Sequence, residues 1–153
     1  MRPIAPLMVD DHRHCDALFA RAEQAVSAHA WDQASAAYAA FKTAMLHHFS
    51  AEEDVLFPAF EAQSGMRNGP TQVMRVEHDQ MRGLLAAAQE SLNAHDADDY
   101  LGNTETLLIM MQQHNMKEEH VLYPMCDDHL QAQSDAVLQR IRQQLEAVDA
   151  PAP

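Results

Sequence analysis

One fixed shift carries this sequence onto itself. At an offset of 66 residues the segment His48 to Pro58 lies over His114 to Pro124; six of its eleven positions are identical, and Phe57 over Tyr123 adds an aromatic match. The identities are His48 with His114, Glu52 with Glu118, Glu53 with Glu119, Val55 with Val121, Leu56 with Leu122 and Pro58 with Pro124. The same shift lays Asp11 and His12 over Glu77 and His78, and Leu18 over Leu84. A repeat of this kind means that the second half rebuilds the supersecondary unit of the first. If the halves pack about a pseudo-twofold axis, the polar residues they share meet at one central place.

The repeated unit is a pair of helices. Apolar residues three and four apart run over residues 7–28, with Leu18, Phe19 and Ala22, and then through Ala36, Tyr38, Phe41, Met45, Phe49 and Leu56. Asp32 stands where it could cap the second helix, and Pro58 should disturb its last turns. Gly65, Asn68, Gly69 and Pro70 form the clearest break. A third helix is expected over residues 71–93, a turn at 95–99, and a fourth helix over 100–125 with Leu107, Leu108, Met111 and Met116 on its apolar side. A short helix should cover residues 134–148, and the tail 149–153 should fray. Only four glycines in 153 residues agree with long helices. The expected fold is therefore all-α: an up-down-up-down four-helix bundle with a pseudo-twofold helix-pair repeat and a short C-terminal helix, in one domain over residues 1–153. Its repeated core occupies about residues 8–126.

Charge and cysteine content narrow the class. A formal net charge of −13 with ten Lys and Arg disfavours nucleic acid and anionic membrane surfaces. No apolar run has the length of a membrane span. Two cysteines, Cys15 and Cys126, make no disulfide framework, and the first residues mix prolines, histidines and acids rather than building a signal peptide, so a cytoplasmic location is expected.

The ten histidines point toward metal. On a helix, His48 and Glu52 face the same way, as do His114 and Glu118, so each pair presents an imidazole and a carboxylate together. A single His-xxx-Glu pair is most often solvated helix decoration. Two in matching contexts, with His12 and His78 at the same offset, are not. Carboxylates facing each other in a core are costly unless a cation lies between them. Four imidazoles and two carboxylates can hold two divalent ions, with the carboxylates as bridges, and this mixed ligation suits iron or manganese better than copper(I) or structural zinc.

These residues resemble the hemerythrin and HHE cation-binding family over about residues 8–126. The match comprises an acid-His on helix one, His-Phe-xx-Glu-Glu with Leu-Phe-Pro on helix two, Glu-His on helix three and His-xxx-Glu-Glu with Leu-Tyr-Pro on helix four. The resemblance implies that His12 and His48 hold one non-haem iron, His78 and His114 the other, and that Glu52 and Glu118 bridge them. Manganese or zinc can take the same donors in the isolated protein. Oxygen-carrying members use a fifth histidine one turn after the helix-three ligand, where this chain has Arg82. Arginine has no lone pair to give, so simple reversible oxygen carriage is disfavoured and exchangeable positions are expected on both irons.

Other residues carry lesser expectations. Asp16, the offset partner of Arg82, is either an extra ligand or its ion-pair partner, the ion pair being preferred. Cys15 is read as a small buried hydrophobe. His14, His29, His47, His95, His120 and His129 are read as mostly solvated, with His120 the best candidate for a supporting role beside the ligands. Tyr123 either donates to the site or packs on Phe57, packing being preferred. Met45, Met74, Met81, Met111 and Met116 are core filler that can absorb oxidation.

The function expected from these readings is a di-iron protein that binds or reduces a small oxidant such as O2, peroxide or nitric oxide. If it is an enzyme, it is an oxidoreductase such as a di-iron peroxidase or oxidase with an unspecified electron donor. The alternatives are non-enzymatic sensing of iron or oxygen, or iron handling for iron-sulfur cluster repair; a purely structural bundle comes third. Oligomer formation is left open.

Overall fold

The computed structural model describes residues 2–147, and among them every regular element is helical. Helix α1 (Ala5–Ser27) turns into α2 (Trp31–Ala51), which runs on through a π-helical segment (Glu52–Leu56) into α3 (Phe57–Ser64). Helix α4 (Pro70–Asn93) turns into α5 (Ala97–Lys117), which continues through a second π segment (Glu118–Leu122) into α6 (Tyr123–His129). A turn of 3-10 helix (Gln131–Gln133) leads to α7 (Ser134–Leu145). Val148 and the tail expected to fray lie outside the described residues.

The ends of these elements follow local chemistry. Gly65 stops α3 in the left-handed region at φ 74°, its N–H bonded to the Glu61 carbonyl at 2.9 Å, and Pro70 opens α4. Asp96 caps α5 by accepting from the Asp99 N–H at 3.1 Å. Asp32 does not cap α2: the chain enters that helix at Trp31 from Ala30, leaving Asp32 in the first turn, where its charge still complements the helix dipole. The turns after α1 and α4 are alike, with His29 and His95 at φ 54° and 53°. The Trp31 indole stacks on the His95 ring at 4.7 Å and ties the two turns together.

Pro58 and Pro124 explain the π segments. A proline inside a helix removes an N–H and drives its ring against an earlier carbonyl. Widening the preceding turn relieves that clash, and the N–H groups of Phe57 and Tyr123 reach back to the carbonyls of Glu52 and Glu118. The disturbance expected around Pro58 is therefore one widened turn, after which the helix resumes. Each widened turn begins at a glutamate of the repeated His-xxx-Glu pair.

Two apolar clusters fill the interior, one built around Phe19, Tyr38, Phe41, Met81, Leu85 and Met111, the other around Met8, Leu56, Phe57, Phe60, Met74 and Leu122. Helix α7 closes the second cluster with Val137, Leu138 and Ile141. Along α1 the order is Met8, His12, Cys15, and along α4 it is Met74, His78, Met81, so both pass from the second cluster to the first. Through α2 and α5 the order reverses: Met45, His48, Val55 and Met111, His114, Leu122. The histidines thus share one layer between the clusters. Met116, expected on the apolar side of its helix, is 60 % exposed, while Met111 one turn earlier is buried. No helix among the described residues is long and apolar enough to cross a membrane.

Candidate metal centre

All six residues singled out by the repeat, His12, His48, Glu52, His78, His114 and Glu118, are buried, the two glutamates completely. The His12 and His48 rings lie 4.6 Å apart and those of His78 and His114 5.0 Å apart. Their Nε2 atoms point inward: His12 Nε2 is 3.1 Å and His114 Nε2 3.2 Å from Glu118 Oε1, while His78 Nε2 is 3.0 Å and His48 Nε2 3.5 Å from Glu52 Oε1. Two groups could each hold a metal ion, their ligand atoms all within 4.8 Å of one another. One is Glu52, His78, His114 and Glu118; the other is His12, His48 and Glu118.

Every imidazole is held from behind by a second carboxylate. His12 Nδ1 donates to Glu119 at 2.7 Å, His48 Nδ1 to Asp11 at 2.7 Å, His78 Nδ1 to Glu53 at 2.7 Å and His114 Nδ1 to Glu77 at 2.9 Å. An Nδ1–H bonded to a carboxylate fixes the tautomer that leaves the Nε2 lone pair facing inward and raises its basicity. Each acid belongs to a different helix from the histidine it holds. The bonds therefore link α1 to α2, α2 to α4, α4 to α5 and α5 back to α1 through the π segments.

The electrostatics describe a site built for positive charge. Burial and the neighbouring Glu118 raise the Glu52 carboxyl, whereas Glu118, despite burial, is held well below the usual range by the hydrogen bond from Glu52, the nearby charge of His114 and the hydrogen bond from His12. Two facing buried carboxylates cannot both stay ionised alone, so one keeps a proton. Burial opposes protonation of His12 and His78, yet the carboxylates around them raise both to about 9. His114 Nε2 and Glu118 Oε2 are nevertheless buried without a hydrogen-bond partner. Such orphaned acceptor atoms are costly in a core and are what a bound cation would satisfy. The residues fit a cation.

The family model of the hemerythrin HHE cation-binding domain matches residues 4–126, covering all six of these side chains. The chain belongs to the hemerythrin HHE cation-binding family. No curated protein and no solved structure matches it. In this member of the family the buried donors are two His/Glu groups that share Glu118, carried on α1, α2, α4, α5 and the starts of the two π segments.

Several sequence expectations change around this centre. Tyr123 does not merely pack: its hydroxyl donates to Glu52 Oε2 at 2.8 Å and Glu118 Oε1 at 3.1 Å. Arg82 pairs with Glu53 (2.7 Å) and Asp79 (2.9 Å), not with Asp16, because Glu53 already stands against the adjacent His78 and offers a bidentate partner. Asp16 is exposed at the surface, its carboxyl raised by partial desolvation in the field of His12 and Glu119. His120 is exposed, and it is the neighbouring Glu119 that bonds a buried imidazole of the centre, His12. Cys15 is buried, with its thiol pushed up by burial. The four supporting carboxylates carry a signal in the repeat itself: Glu53 and Glu119 are identical at the 66-residue offset, and Asp11 and Glu77 are both acids.

The raised imidazoles set a pH dependence for the metal-free protein. A histidine at about 9 in the folded chain and 6.5 unfolded adds stability that is full below 6.5 and lost as pH rises through about 9. Thermal melts of the chelated protein should therefore show a midpoint that falls across that window. A midpoint constant from pH 6.5 to 9 would show that the imidazoles are neutral without metal.

Proposed function

We propose that this chain is a non-haem di-iron protein that binds or reduces a small oxidant, with His12, His48, Glu52, His78, His114 and Glu118 as the iron-holding residues. The observation that carries the reading is the pair of donor groups sharing Glu118, each of whose imidazoles is backed by a carboxylate. Bound there, iron supplies a redox couple and exchangeable positions at which O2, peroxide or nitric oxide is taken up.

The chain's own residues prepare that chemistry. Asp11, Glu53, Glu77 and Glu119 hold the four imidazoles in one tautomer and orientation. Phe49 stacks on the His78 ring at 4.2 Å and Phe57 lies along it at 5.8 Å, which keeps water from that face. Met45, Met74, Met81 and Met111 flank the layer as polarizable, oxidisable walls. Arg82, at the position of a carrier's fifth histidine, spends its guanidinium on Glu53 and Asp79, and this favours oxidation over reversible carriage.

The same reading takes the helices as an up-down-up-down bundle whose halves are related by a pseudo-twofold. The opposite order of residues along α1 and α4 against α2 and α5, and the π segments one repeat apart, support it. Two free buried cysteines suit a reducing cytoplasm, and the charge of −13 suits a small neutral or cationic partner rather than nucleic acid.

Stopped-flow mixing of the reduced, iron-loaded protein with oxygenated buffer tests the function. The expected result is conversion to a stable diferric form from which vacuum recovers no O2. Recovery of O2 with return of the reduced spectrum would mean a carrier instead.

A further inference from the structure

The two halves of the centre differ where the sequence repeat makes them look alike. Tyr123 and Phe57 occupy equivalent positions, yet only one carries a hydroxyl, and that hydroxyl lies inside the ring of donors. It stands 3.2 Å from His12 Nε2, 3.3 Å from His48 Nε2, 2.8 Å from Glu52 Oε2 and 3.1 Å from Glu118 Oε1. Donors bound to one ion by bonds of about 2.0–2.2 Å sit roughly 3 Å from one another. The phenol oxygen therefore has the separations of a ligand to the ion that His12 and His48 would share. In the other half Phe57 lies along the His78 ring and supplies no donor.

The supporting carboxylates differ in the same sense. Glu53, behind His78, is paired with Arg82 at 2.7 Å, and Glu77, behind His114, is paired with Lys117. Among the described residues no lysine or arginine backs Asp11 or Glu119, which hold His48 and His12. A cation on the supporting acid draws away part of the charge that the acid lends to its imidazole. The His12/His48 half is thus the more electron-rich of the two and the better home for a ferric ion, which takes phenolate oxygen readily.

Resting on the di-iron reading above, we propose that Tyr123 is a further protein ligand, bound as phenolate to the iron held by His12 and His48, so that this three-donor group gains a fourth donor and matches the four of the His78/His114 group. On ligation the phenol O–H bond breaks, an O–iron bond forms, the proton leaves to solvent and no electron is transferred.

The test uses the full chain, iron-loaded and oxidised in air, with iron content assayed alongside the visible spectrum. Wild type should show a phenolate-to-iron(III) charge-transfer band, and Tyr123→Phe should abolish it while retaining two irons. Tyr38→Phe, whose hydroxyl bonds the Leu85 carbonyl in the first apolar cluster, should keep the band. Should Tyr123→Phe fail to fold, resonance Raman spectra of wild type grown on ring-deuterated tyrosine read the same ligand through isotope-shifted phenolate modes. Two irons without a phenolate band, or a band that survives in Tyr123→Phe, overturns the ligation and leaves the di-iron reading standing. A chain that takes up no iron overturns both.

Discussion

Chelation should lower the melting temperature by on the order of 10 °C. A ligand that binds only the folded state stabilises it by mass action, by about 4 kcal/mol at a thousandfold excess over Kd. For a chain of this size each kcal/mol moves the midpoint by about 2–4 °C. Glu52 and Glu118 are fully buried among four buried imidazoles, so the ion and the fold are tightly linked. The metal-free bundle should still fold, because Glu52 can keep a proton and His12 and His78 can take them up. The expected result is thus a lowered transition rather than a lost one. Calorimetry before and after chelation, with metal content assayed in both samples, measures it; an unchanged midpoint after verified removal would show that the site contributes nothing to the fold.

If the centre holds two ions as proposed, Glu118→Gln should remove both, and this is the largest effect expected of one conservative change. Glu118 belongs to both donor groups, whereas His48 belongs to one. The amide keeps the volume but loses the charge that balances a cation, and it leaves the orphaned Oε2 position without an anionic oxygen. Replacing a carboxylate that only supports a ligand typically costs about 10–100-fold in metal affinity, so loss of the shared carboxylate itself should exceed about 100-fold. Metal content after gel filtration should fall from about two ions per chain to near none, while His48→Ala should chiefly empty the His12/His48 half. Retention of two ions by Glu118→Gln would show that the carboxylate is not shared between metals.

The helical class, the helix pairs and the ligand candidates were legible because helix periodicity and a fixed repeat are local properties of the chain. His48 with Glu52 and His114 with Glu118 share a face by spacing alone, and the offset of His12 and His78 completes the set. The family followed from the same residues. Boundaries were legible where turn chemistry is strong, at Gly65 and Pro70, and less so at Asp32, where the packing of Trp31 on His95 lies beside the helix start.

By itself, then, the sequence determined which residue types face inward and that two halves repeat, since 3.6-residue periodicity says what side of its own helix a residue occupies. Only the tertiary structure decided what each residue meets there. Glu119 reaches His12 across 107 positions, Arg82 takes Glu53 rather than Asp16, and Tyr123 enters the donor ring while Phe57 lies against a histidine. These outcomes depend on the rotation and depth at which neighbouring helices pack, and on the turns widened ahead of Pro58 and Pro124. Repeated residues of nearly equal hydrophobicity satisfy the core equally well, so the one hydroxyl that separates Tyr123 from Phe57 acquires its meaning only from the donor atoms that the folded bundle places around it.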